Sequence, residues 1–123
     1  MKRVKIGFVG LTHLGLNYLV TSAQKGFFVI GIDTDSQKIK RLKKNIIEYE
    51  EPNLKRLIEK NKKKIIYSNE IKDLRKCNLV FISQDVKTNK NGKSDLKSLR
   101  TLINKTVKNM SKNSILVILS QMK

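Results

Sequence analysis

Residues 4–33 carry the pattern that most restricts what this chain can become. An apolar run, Val4–Val9, ends at Gly10. A helix-length segment follows. A second apolar run, Phe27–Ile32, then ends in the carboxylate of Asp33. A strand, a tight turn, a helix and a parallel strand satisfy this order, and that unit can hold a dinucleotide. Gly10 suits the point where the backbone bends out of the first strand. Gly15 suits the point where the helix packs closely on the sheet. The helix start offers free backbone N–H groups and a positive dipole end to a pyrophosphate. Asp33 lies 23 positions after Gly10, near the spacing of about 20 at which an acid reaches a ribose. The usual middle glycine of the turn is Thr12. Its side chain crowds the pyrophosphate approach, and its hydroxyl offers a bond to a phosphate oxygen. The alternative is a strand–helix–strand unit whose glycines serve turn and packing needs alone.

Further apolar runs of strand length are Lys64–Tyr67, Asn78–Ser83 and Ser114–Leu119. They are continuous rather than alternating, which suits strands buried on both faces. Between them lie segments of helical period. The first helix is expected over Leu14–Lys25, with Leu16, Leu19, Val20 and Ala23 inward and Gly26 at its end. The second starts at Asp35 or Ser36, with Ile39, Leu42 and Ile46 inward. Pro52 opens a third, carrying Leu54, Leu57 and Ile58. Asn69–Leu74 is one or two helical turns, and Lys87–Ser94 is a loop. Asp95 can cap a helix reaching Met110, with Leu96, Leu99, Leu102, Ile103 and Val107 inward. The predicted fold is α/β: a doubly wound parallel Rossmann sheet of strand order 3-2-1-4-5, helices on both faces, forming one domain over residues 1–123. Its ligand crevice lies at Gly10–Gly15 and Ser83–Thr88.

The net charge is +17, a balance that can serve nucleic acid or an anionic membrane. The chain has 22 Lys, 5 Arg, 14 Ile, 11 Asn and a single alanine, Ala23. A-T-rich coding produces that combination without a dedicated partner. The densest run, Lys60–Lys64, has no aromatic residue interleaved for base stacking. The reading is a solvated basic surface. Nothing resembles a signal peptide, and no apolar run approaches about 18 residues, so a soluble, cytoplasmic protein with no membrane partner is expected. One cysteine and one histidine give no internal disulfide and no ligand set for a zinc site.

Taken together, the motifs resemble the NAD-binding domain of the nucleotide-sugar 6-dehydrogenases, the UDP-glucose/GDP-mannose dehydrogenase family. Ile6–Leu16 is similar to the family's opening I-x-x-x-G-L-G-Y-V-G-L, with Thr12-His13 closer to a G-L-S/T-H-L-G variant. Gly31–Asp35 with Lys38 resembles G-x-D-x-D-x-x-K. Glu51–Leu54 resembles E-P-G-L, and Asn91–Leu96 resembles D-G-x-x-D-L. Ser120-Gln121 falls where the family has S-T or S-Q. Val86-Lys87 replaces a threonine–proline pair, while Thr88 remains.

The resemblance implies NAD as cofactor and two successive oxidations of a sugar C6 alcohol to a carboxylate, through a thiol-linked intermediate. It implies that Leu11, Thr12, His13 and Leu14 offer backbone N–H groups to the pyrophosphate. Asp33 takes both ribose hydroxyls and repels the 2′-phosphate of NADP, and Lys38 reaches the same ribose. Gln84, Asp85, Val86 and Thr88 border the nicotinamide, with Ser120 approaching from strand 5. Blander roles stand beside these: a packing residue for His13, a loop-bonding acid for Asp33, a solvated lysine for Lys38. The family's catalytic cysteine and sugar-nucleotide domain have no counterpart in these 123 residues. Cys77 reads as a small buried hydrophobe. A sugar nucleotide is therefore a partner only when the missing part is supplied. An exposed apolar face is expected at Ser120–Lys123, with self-association through it. Two other readings stay open: a non-catalytic nucleotide-binding module and a basic nucleic-acid-binding domain.

Overall fold

The computed structural model describes residues 4–48, 51–84 and 96–119. The strands are β1 (Lys5–Val9), β2 (Phe28–Ile32), β3 (Ile65–Ser68), β4 (Leu79–Ser83) and β5 (Ile115–Leu119). The helices are α1 (His13–Gln24), α2 (Ser36–Lys43), α3 (Pro52–Lys60) and α4 (Lys97–Asn109), with 3-10 segments at Lys62–Lys64 and Ile71–Lys76. The sheet is parallel throughout, in the order β3-β2-β1-β4-β5. The expected winding is therefore present.

The two faces carry separate apolar cores. On one, Leu16, Leu19, Val20 and Ala23 of α1, with Ile39, Leu42, Leu54 and Ile58 of α2 and α3, cover Ile6, Phe8, Val29 and Ile65. On the other, Leu74, Cys77 and Leu99 cover Val9, Ile30, Ile32, Val80 and Ile82. Each fully buried side chain of this size stabilises the fold by roughly 1.5–3 kcal/mol. Cys77 is 2% exposed. A Cβ placed on Gly7 would lie 2.9 Å from its Sγ, so a thicker side chain has no room beside β1. Burial pushes the Cys77 thiol up to about 11. It is a packing residue.

Three inward positions differ from expectation. Ile46 is 49% exposed, because Asn45 turns left-handed (φ 57°) and ends α2 at Lys43; left-handed asparagine is a common helix stop. Val107 is 54% exposed and Thr106 is fully buried in its place. The inward stripe of α4 is Leu99, Leu102, Ile103 and Thr106, continued by Met110 just past its end. Leu96 is 38% exposed and precedes α4 without a side-chain cap bond. The expected cap, Asp95, lies outside the described residues, as does the expected loop Lys87–Ser94.

Candidate functional site

The carboxyl ends of β1, β2 and β4 open into a cleft of about 480 Å³. Gly10, Thr12, Asp33, Gln84, Asn69 and Lys105 are among its lining. Gly10 has φ +89°, and a Cβ on it would stand 1.8 Å from the carbonyl oxygen of Ser83. A Cβ on Gly15 would stand 2.3 Å from the carbonyl oxygen of Gly10. Both glycines are therefore required by the crossing of β1, β4 and α1.

Thr12 is the N-cap of α1. Its Oγ1 accepts from the Gly15 N–H at 3.1 Å and lies 2.5 Å from Ser83 Oγ. The hydroxyl expected to be offered to a phosphate is thus engaged within the protein, fixing the turn to the end of β4. The first turn of a helix leaves its N–H groups without helical acceptors, and α1 directs that end toward the cleft-lining Thr12. His13 Nε2 meets Glu51 Oε2 at 2.8 Å. Both side chains are well exposed, so the pair contributes little stability, but it joins the turn to the start of α3.

Asp33 organises the other wall. Oδ2 accepts from the Leu11 N–H at 2.9 Å, and Oδ1 accepts from the Asp35 N–H at 3.0 Å. Its own N–H donates to the Ser68 carbonyl at 3.2 Å. The acid is therefore a loop-bonding group. A carboxylate has about four lone-pair sites, so these two bonds leave acceptor capacity facing the cleft. The Leu11 N–H is committed to Asp33. Lys38 Nζ lies 3.8 Å from Asp33 Oδ2 and donates to the Leu11 carbonyl at 3.4 Å, with its side chain 20% exposed. It is drawn inward rather than solvated. Asp35 caps α2 by accepting from the N–H groups of Gln37 and Lys38, and this presents Lys38 to Asp33.

Gly10, Thr12, Asp33 and Gln84 thus share one cleft, while Leu11, His13, Leu14, Gly15 and Lys38 form the turn and its supports. Asp85, Val86, Thr88 and Ser120 lie outside the described residues. Two roles escaped the sequence reading. Ser83 was placed at the crevice edge, but without its bond to Thr12. Glu51 carried a motif without a role; its partner His13 lies 38 positions away, a separation that periodicity does not reach.

Residues 4–123 match the UDP-glucose/GDP-mannose dehydrogenase family, NAD binding domain. The chain belongs to this family. Among curated members, the UDP-glucose 6-dehydrogenase of Rickettsia felis is 30% identical over 123 residues, covering 95% of this chain and 27% of that protein. The UDP-glucose 6-dehydrogenase TuaD of Bacillus subtilis is 32% identical over 95 residues, covering 75% of this chain and 21% of that protein. The solved UDP-D-ManNAc dehydrogenase of Pyrococcus horikoshii superposes with a TM-score of 0.88 at 24% identity, over 95% of this chain and 28% of that one; it supports the fold. The chain spans about a quarter of the length of these relatives. As the family's NAD binding domain, it presents a glycine turn, a helix start and a strand-end acid in one cleft, an arrangement that fits the dinucleotide. Among the described residues no helix is long and apolar enough to cross a membrane.

Proposed function

We propose that residues 1–123 act as a single cytoplasmic domain forming the NAD half of a nucleotide-sugar 6-dehydrogenase. When bound, NAD supplies the hydride acceptor for oxidation at the sugar C6. The protein's own part is to hold and orient it. Asp33 accepts from the ribose hydroxyls, and Lys38 supports the carboxylate. The start of α1 at Thr12–Leu14 meets the pyrophosphate. Gln84 borders the nicotinamide, a role that the family resemblance extends to Asp85, Val86, Thr88 and Ser120. The observation that carries this reading is the Asp33 carboxylate in the cleft wall beside Gly10. The sugar nucleotide requires the part of the family's polypeptide that carries the nucleophilic thiol. Cys77, packed against Gly7, does not replace it. Self-association, if it occurs, is expected through Ser120–Lys123, after β5.

The test has two readouts on the 123-residue chain. NAD should raise its melting temperature in a concentration-dependent manner, and UDP-glucose with NAD should give no NADH. No thermal shift at millimolar NAD, or NADH production abolished by Cys77→Ser, contradicts the assignment.

A further inference from the structure

Glu51 is the N-cap of α3, yet it makes no side-chain cap bond there. Short polar side chains such as Ser, Asp and Asn fill that position best, because they reach the N–H groups of the first turn. Asp35 does this for α2, and Thr12 does it for α1. The Glu51 carboxylate instead leaves its own helix and meets His13 Nε2 at 2.8 Å, across 38 positions of sequence. An ionised carboxylate only accepts, so Nε2 carries the proton and the ring is held in one orientation. Both partners are well exposed, so the pair adds little stability. A local preference set aside for little stability is a pattern found at functional sites.

The place of His13 gives the pair its meaning. His13 is the first residue of α1, where the Cα–Cβ bond tilts toward the helix N-terminus. A loose ring at that position can lie across the N–H groups that face the pyrophosphate. The held ring does not, since the cleft is lined by Thr12 and not by His13. The ring meets the start of α3, whose Leu54 and Ile58 share one apolar core with Leu16 of α1. Residues 6–24 carry no Lys, Arg, Asp or Glu, so no charged side chain of the turn or of α1 can hold the ring. Glu51 supplies that hold from the start of another helix.

We propose that Glu51 is a positioning residue for the dinucleotide. It keeps the His13 imidazole outside the cleft, so that the start of α1 presents backbone N–H groups alone to the pyrophosphate. The proposal rests on the cleft being the NAD site. It ties cofactor affinity to α3, which contributes nothing to the cleft lining among the described residues.

The test combines NAD calorimetry with urea unfolding on the full chain. Glu51→Ser places a good N-cap on α3 and removes the hold on His13. Stability should be kept or raised, while NAD affinity falls by about threefold or more. Glu51→Gln keeps an acceptor on the same stem and should retain most of the affinity. In a His13→Ala background, Glu51→Ser should lose its effect. The chain has one histidine, so imidazole NMR signals report His13 alone, and they should move in Glu51→Ser even without NAD. Stability and affinity falling together, equal effects of Ser and Gln, unmoved imidazole signals, or an effect that persists without the ring overturns the proposal. If the wild-type chain binds no NAD, the reading of the cleft fails and this role fails with it. If it binds NAD and Glu51→Ser binds equally or more tightly, this inference alone fails.

Discussion

The backbone N–H of Leu11 donates to Oδ2 of Asp33 at 2.9 Å, tying the turn after β1 to the acid that ends β2. The same carboxylate receives the Asp35 N–H at 3.0 Å. One side chain therefore sets the shape of two loops and faces the cleft between them. Asp33→Ala should lose cofactor affinity and also lower stability. Leaving the part-buried Leu11 N–H without its acceptor costs about 1–3 kcal/mol. Urea unfolding, with wild-type stability as the contrary result, checks the structural share; the fold itself should persist, because Asp33 is outside both apolar cores.

Gly15→Val should damage folding and binding together, and Gly15→Ala should do so less severely. A Cβ there meets the Gly10 carbonyl oxygen at 2.3 Å and Ser83 Cβ at 3.1 Å. Backbone cannot yield as a flexible side chain does, so a loss of about 2 kcal/mol or more is expected for alanine. Thermal unfolding near the wild-type temperature would mean that α1 can move off the sheet.

Thr12→Val should cost about 1 kcal/mol, through loss of the cap on the Gly15 N–H. Ser83→Ala removes the other hydroxyl of the pair, which lies 2.5 Å away. The two substitutions share one interaction, so the double variant should lose less than the sum of the single losses. Strict additivity in a double-mutant cycle argues against a direct Thr12–Ser83 bond.

Stability should fall between pH 9 and 11, and part of the fall should belong to Cys77. Burial raises its thiol from 9.0 to about 11 in the folded chain. The folded state therefore holds this proton more tightly than the unfolded state. Its contribution is complete below pH 9 and is lost as pH rises through the folded value. At about 1.4 kcal/mol per unit, the shift is worth on the order of 2–3 kcal/mol. Burial also pushes the Tyr67 phenol up to about 12, which adds a second fall starting near pH 10. The diagnostic is the difference between wild type and Cys77→Ala, whose profile should be flatter from pH 9 to 11. Parallel profiles would remove the thiol from this role.

The glycine turn and Asp33 were legible in the sequence because local backbone geometry demands particular residues there. Gly10 must take positive φ, and no Cβ fits at Gly15. Strand order was legible because continuous apolar runs and right-handed crossovers leave few alternatives. The boundaries decided by tertiary fit were not. Nothing in the period of α4 distinguishes Thr106 from Val107; the rotation of the helix on the sheet buries the first and exposes the second. Nothing in the apolar spacing after Leu42 shows that Asn45 turns left-handed and releases Ile46 to solvent. In the site, the position of Asp33 was readable, but its bond to Leu11, 22 residues away, depends on two loops meeting in space. Lys38 was ambiguous for the same reason. The cap at Asp35, the nearby carboxylate and the Leu11 carbonyl together draw its ammonium inward.

The most direct measurement is titration calorimetry of the folded chain with NAD and with NADP. Asp33 offers charge-assisted bonds to a free ribose diol, each worth about 1.5–3 kcal/mol, and its charge opposes a 2′-phosphate. Lys38, held 3.8 Å from that carboxylate, is occupied by Asp33 and the Leu11 carbonyl. The account predicts that NAD binds, that NADP binds at least about tenfold more weakly, and that Asp33→Ala erases the difference. Equal affinities in the wild type, or a preference for NADP, would contradict it.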